Sequence, residues 1–159
     1  MSYLIGAYQY FDNSFLYDTK DYQQPKIPKY LVNTTLGYIQ KEYPQWFTII
    51  EKAGRLNFFE SKKYTMFIPN NISLSMLTSM DRQRALHLFN IYTVEGNYNI
   101  DILRTSCYQQ LQTLISGITI NIEYNPNDDI FYINNRFIID NTSYFVVNNV
   151  TIYTIVNME

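Results

Sequence analysis

A single cysteine, Cys107, in a chain of 159 residues leaves no partner for an internal disulfide. That points to a reducing compartment and to a small packed side chain as its role. His87 is the only histidine, so no multi-histidine metal site forms, and a partly exposed helix position is expected for it. The five glycines make neither a P-loop nor a dinucleotide fingerprint. No G-x-S-x-G sequence occurs and Cys107 has no base nearby in sequence, so catalysis and a cofactor are both unsupported. Asp128-Asp129 lacks the D-x-[DN]-x-[DN]-G loop of a calcium site and reads as turn chemistry, with no metal expected.

No apolar run approaches the roughly 18 residues that a membrane span needs. The richest, residues 145–156, is interrupted by Asn148, Asn149, Thr151 and Thr154. The opening Met1-Ser2-Tyr3-Leu4-Ile5-Gly6-Ala7-Tyr8 has no basic n-region, so no secretory signal is expected. A formal net charge of -2 and a pI near 5.4 give phosphate no broad attraction. Lys62-Lys63 and Arg82/Arg84 are the tight basic pairs, and nucleic acid is not an expected partner.

What is abundant is aromatic and Asn-rich: 16 tyrosines and 10 phenylalanines. Ile, Asn, Tyr, Phe and Lys share AT-rich codons, which points to an AT-rich genome, a description that fits several protists, some bacteria and many large DNA viruses equally well. The length makes one domain that buries roughly two-thirds of its unfolded surface. Residues 1–29 read as an extended arm, with Tyr3, Tyr8, Tyr10, Phe11, Phe15, Tyr17 and Tyr22 set among polar residues and Pro25 and Pro28 favouring an extended connection. The domain proper is expected over residues 30–159.

From Thr34 the pattern is helical, with Leu36, Ile39, Tyr43, Phe47 and Ile50 on one face across a break near Pro44. Thr65-Met66-Phe67-Ile68 reads as a buried strand that Pro69 ends, and Asn70 or Asn71 is placed to cap a helix carrying Leu74 and Leu77. A further helix is expected over residues 84–91. Ile118, Ile120 and Ile122 alternate with polar residues before the turn Asn125-Pro126-Asn127-Asp128, and residues 130–133 pair back as a hairpin. Asn134-Asn135 turns again. Residues 137–139 and 144–147 supply strands, and residues 151–156 close the sheet. Helices first and strands last favour an α+β domain, N-terminal helices packed on an antiparallel wedge or sandwich.

Four segments occur in the order of the motifs of fasciclin-like domains. Thr65 to Leu74 reads TMFIPNNISL, with Thr65, Phe67, Pro69 and Asn70 in register with the first. Tyr92-Thr93-Val94-Glu95-Gly96 stands at the second, and Thr113-Leu114 with Gly117 resembles the third. Asn149-Val150-Thr151-Ile152 opens the fourth, keeping Asn149 and Ile152 while losing its glycine, histidine and aspartate. The chain resembles this family over residues 34–158. The resemblance implies the fasciclin-like α+β fold and a non-catalytic module of the kind best known in secreted and surface adhesion proteins. The family's cell-binding members carry an Asp-Ile pair before the last motif and a Tyr-His pair in the second. Here those positions hold Tyr144-Phe145 and Tyr92-Thr93. Asn99-Ile100-Asp101-Ile102-Leu103 does contain an Asp-Ile pair, but it reads as a helix start capped by Asn99 or Asp101.

Two settings follow. The leading expectation is a minor capsid protein, a cement or adaptor in a large DNA virus, located in the virion or at its cytoplasmic assembly site. Its arm aromatics would anchor on capsid or coat subunits. The alternative is a cell-surface or secreted adhesion protein, for which the sequons at Asn33, Asn71, Asn141 and Asn149 are weak support. Asn71 and Asn149 lie inside core motifs, where a glycan is expected to be hard to place. A ligand-binding cleft between sheet and helices is the third possibility.

Overall fold

The computed structural model describes residues 34–60, 62–140 and 144–158. The expected arm and the Asn33 and Asn141 sequons lie outside the described residues. Two short helices open the structure, α1 (Thr35–Glu42) and α2 (Pro44–Lys52). Thr34 caps α1, its hydroxyl accepting from the Gly37 N–H at 3.0 Å. Pro44 sits in the first turn of α2, where its missing N–H costs nothing, while it holds Tyr43 out of helical geometry at φ -136. The expected break is therefore present. Ile39, Phe47 and Ile50 are buried on the shared face.

Strand β1 (Tyr64–Pro69) follows and is buried along its whole length. Helix α3 (Leu74–Ser79) begins later than expected and its cap is Ser73, whose Oγ accepts from the Met76 N–H at 3.2 Å. Asn70 and Asn71 stay exposed in the connection, too far upstream of the first turn to reach its free N–H groups. Helix α4 (Arg82–Ile91) is capped by Asp81, and β2 (Thr93–Glu95) follows it directly. The short α5 (Ile100–Leu103) is capped by Asn99, which accepts from the Ile102 N–H at 2.9 Å.

The second half is strands: β3 (Tyr108–Gln112), β4 (Thr119–Asn125), β5 (Ile130–Ile133), β6 (Phe137–Ile139), β7 (Phe145–Val147) and β8 (Val150–Asn157). Asn134 and Asn135 make the expected turn with φ 55 at both, a conformation that Asn tolerates better than other side-chain-bearing residues. The sheet order is β2-β1-β8-β6-β5-β4-β3, with β7 also on β8. Two features differ from expectation. The β1–β8 pair is parallel, Tyr64 opposite Val150 through Pro69 opposite Ile155, in an otherwise antiparallel sheet. The last strand does not close the sheet but lies at its centre, between β1 on one side and β6 and β7 on the other. Residues 150–155 are buried because one face of the strand packs under the helices and the other into the barrel.

Closure comes elsewhere. An isolated antiparallel bridge joins Val94 of β2 to Thr113, just past β3, and the Leu114 N–H donates to the carbonyls of Thr93 and Asn90 at 3.1 and 3.2 Å. The two sheet edges thus meet, giving a barrel-like α+β domain. Period-2 alternation sends β1 and β8 side chains into two cores. Tyr64, Met66, Ile68, Val150 and Ile152 pack under the helices with Trp46, Ile49, Ile50 and Phe89. Phe67, Tyr153 and Ile155 fill the barrel interior with Leu103, Leu111, Ile120, Phe131 and Ile133. There Phe67 stacks on Tyr153 at 5.3 Å between ring centroids, a geometry worth about 1 kcal/mol beyond the area it buries.

Candidate interaction face

Around the break at Pro44, α1, α2 and the end of β1 line a groove of about 410 Å³. Helix α1 contributes Tyr38 and Glu42, and the junction and α2 contribute Tyr43, Gln45 and Trp46. The facing wall is Ile68 and Pro69 at the end of β1, Asn70 and Ile72 after it, Phe145 on β7 and Thr154 on β8. The Tyr43 and Thr154 hydroxyls share a 2.7 Å hydrogen bond across it. The Tyr38 ring lies 5.1 Å from Phe145 and 6.2 Å from Tyr43, while Trp46 meets Tyr92 edge-on at 6.1 Å.

Two polar atoms of this wall, Tyr38 Oη and Trp46 Nε1, are buried without a hydrogen-bond partner among the described residues. Burial, with Tyr43 and Glu42 nearby, pushes the Tyr38 hydroxyl far above the ordinary phenol range. Burial also raises Tyr43, against the opposing effect of its bond to Thr154. Both phenols therefore stay neutral and able to donate. Glu42 is the one charged side chain lining the groove among the described residues.

Beside the groove runs β7, paired to β8 along one side. Thr35 Oγ1 donates to the Val147 carbonyl at 3.3 Å and ties the strand to α1. Phe145 is 42 % and Val146 53 % exposed, so the strand presents apolar side chains to solvent without a charge among its three residues. Tyr144, the other half of the pair standing at the family's Asp-Ile position, points inward and stacks on Tyr153 at 5.1 Å.

The motif residues gather mainly as ties between strands. Thr65 Oγ1 donates to the Gly96 carbonyl at 2.8 Å and accepts from the Tyr98 N–H at 3.0 Å. Gly96 has φ +117, and a Cβ there would lie 2.9 Å from the Tyr98 ring, so only glycine fits that turn. The Tyr92 carbonyl accepts from the Phe67 N–H at 2.9 Å, and the Asn149 carbonyl accepts from the Tyr64 N–H at 3.1 Å. Thr113 Oγ1 donates to the Ile118 carbonyl at 2.7 Å, closing the loop that holds Gly117, beside the edge contact made by Leu114. Ile152 is fully buried in the helix-side core. Only Pro69 and Asn70 of the motif set reach the groove. The arm residues Tyr3, Tyr8, Tyr10, Phe11, Phe15, Tyr17 and Tyr22 lie outside the described residues.

Thr93, at the second family position, is buried and donates to the Phe89 carbonyl at 2.7 Å. Asp101 and Ile102 are both exposed on α5. His87 is exposed on α4, and Asp129 is taken up by Arg104 at 2.9 and 3.0 Å. Among the described residues no cluster of three metal-ligating side chains occurs. Asn71 and Asn149 are exposed, which corrects the expectation that a glycan is hard to place at either; both sit in connections whose backbones bond to the core while their side chains face out. Sequence reasoning did not single out Tyr38, Glu42, Gln45, Trp46 or Val146. The available signal was the spacing 38, 42, 45, one stripe beside the apolar helix face.

The model of the Fasciclin domain family matches residues 41–158, nearly three-quarters of the chain. No curated protein matches the chain significantly. No helix among the described residues is long and apolar enough to cross a membrane.

Proposed function

The chain belongs to the fasciclin domain family, and on that premise we propose that it is a non-catalytic protein-interaction module of the adhesion type, whose partner adds to the β7 edge. One observation carries the reading: a short edge strand with Phe145 and Val146 about half exposed and no charge to guard it. Proteins that avoid edge pairing place lysine, proline or a bulge at such a strand, and an unguarded apolar edge suits strand addition by another chain. Phe145 also stands where, by the family resemblance, adhesion members present a pair to their receptor. The chemistry of the pair differs: Tyr144 stands at the acid's position and packs on Tyr153, which leaves Phe145, at the isoleucine's position, as the apolar contact, so the partner surface it fits is apolar.

An extracellular or surface setting accompanies this reading, because the family is best known there. The minor capsid setting read from composition and from the arm gains nothing from the fold or from the family match. The arm aromatics remain a second proposed contact. The test is attachment of cells to surfaces coated with the parent chain or with Val146→Lys. Attachment by the parent and its reduction by about tenfold or more in the variant, at unchanged melting temperature, is the expected result. Equal attachment to both, or none to either, overturns it.

A further inference from the structure

We propose that the groove between the α1–α2 junction and the end of β1 receives an arginine side chain of a protein partner, with the guanidinium against the Tyr38, Tyr43 and Phe145 rings and paired to Glu42. The proposal names a chemistry for the partner. It rests on the reading of the chain as a protein-interaction module, and not on strand addition at β7.

Rings supply the first part of the site. Tyr38 and Tyr43 are partly buried and Phe145 is exposed, and all three line the groove. The Tyr38 ring is tilted by 54° to Phe145 and by 56° to Tyr43, with centroids 5.1 and 6.2 Å apart. Tilted rings leave free part of the face that a parallel stack covers. A cation is drawn to an aromatic face when it lies within about 6 Å of the centroid, and rings this close together place more than one centroid within that range of a single charge.

Charge supplies the second part. Glu42 is exposed at the end of α1 and forms no ion pair among the described residues. Among the described residues no lysine or arginine lines the groove; Lys41 is next to Glu42 in sequence, but successive helix positions do not share a face. Glu42 helps to hold both tyrosine hydroxyls neutral, and Asp140 acts on Tyr43 in the same direction, so the field at the rings is negative. An acidic wall with no base complements a cation. Guanidinium suits it better than ammonium, because it is planar and weakly hydrated, stacks on rings and takes a carboxylate bidentately. Phe145 belongs both to the groove and to β7, so a chain bound at that edge lies within side-chain reach. Arginine is also among the residues that dominate interface energies.

The test is titration of the full ¹⁵N-labelled chain with N-acetyl-arginine amide, with N-acetyl-lysine amide as the control cation. Saturable shifts in the millimolar range, centred on the backbone amides of Tyr38, Glu42, Tyr43 and Phe145, are expected with the arginine probe. Glu42→Gln is expected to weaken binding about fivefold, the size of one exposed ion pair, and Phe145→Ala about threefold, each in a chain whose other amide resonances are unmoved. Shifts that are absent, unsaturated or spread over the surface overturn the site. Unchanged binding in Glu42→Gln overturns the ion pair, and equal or tighter binding of the lysine probe overturns the guanidinium assignment. The probe needs no partner protein, so failure here is separate from failure of cell attachment, which removes the interaction-module reading itself.

Discussion

Thr65→Val tests whether the first family motif acts as a tie between strands. Thr65 is fully buried in β1, and valine matches its shape and branching, so packing changes little. What goes is one hydroxyl that donates to the Gly96 carbonyl and accepts from the Tyr98 N–H, at 2.8 and 3.0 Å. Each bond contributes about 1 kcal/mol net. Their loss therefore costs about 2 kcal/mol, which for a domain of this size lowers the melting temperature by about 8 °C. Urea unfolding followed by Trp46 emission reads the change as a lower midpoint at unchanged slope. Thr65→Ser is the control, because it keeps the hydroxyl and loses one methyl, at about 1 kcal/mol. The reasoning fails if Thr65→Val lies within about 0.5 kcal/mol of the parent, or if the serine variant falls as far as the valine one.

Two further substitutions probe charge. Burial raises the Glu51 carboxyl above its ordinary range, with Lys52 opposing. Its contribution is therefore full at low pH and is lost as pH rises through the folded-state value. Glu51→Gln is expected to melt above the parent at about pH 7 and to converge with it near about pH 4; a pH-independent difference, or one of opposite sign, refutes this. Asp129 shifts the other way, its carboxyl held down first by the Arg104 guanidinium and then by the Tyr124 hydroxyl. That stabilisation is present above the ordinary carboxylate range and is lost as pH falls through the lowered folded value. Asp129→Asn keeps a residue type that tolerates the φ of 55 found there. The parent is expected to lose stability more steeply than the variant between about pH 5 and about pH 2 on acid titration of the melting temperature; parallel curves refute the clasp.

The β4–β5 hairpin, the Asn134-Asn135 turn and the break at Pro44 were legible because each depends on local alternation or on one residue's backbone preference. Strand β3 was not. Gln109, Gln110 and Gln112 leave Leu111 as its one buried residue, and the strand exists because it pairs with β4 and its end bridges to Val94, contacts that no local pattern encodes. The parallel pairing of β1 with β8 is equally remote, joining residues more than eighty positions apart. Its trace in the sequence is indirect: both strands carry large apolar residues at odd and even positions, which their burial on both faces uses. The cap of α3 was misplaced because Asn70, Asn71 and Ser73 are all competent caps, and the choice falls to where the helix starts after Pro69. The groove escaped for the same reason as β3. Its stripe at 38, 42 and 45 is local, but the wall that makes it a groove comes from residues 68–72, 145 and 154.

The division between motif and surface explains how a family framework persists while its contacts change. Thr65 and Thr113 act through hydroxyls and Gly96 through a turn that admits no side chain, so substitution there is felt as lost stability. Tyr92 and Asn149 act through backbone carbonyls and Leu114 through its backbone N–H, holding one strand or loop against another with groups that other residues also carry. The side chains of Phe145, Val146, Tyr38 and Glu42 make no comparable tie between strands; they line the groove or face solvent. At the position where the resemblance places an Asp-Ile pair, Tyr144 is absorbed into the stack on Tyr153 and Phe145 is left partly exposed, with the barrel intact. The order of the four motifs identified the architecture because it follows residues that hold the strands together, whereas Phe145 and Val146 on β7 lie outside the four motifs.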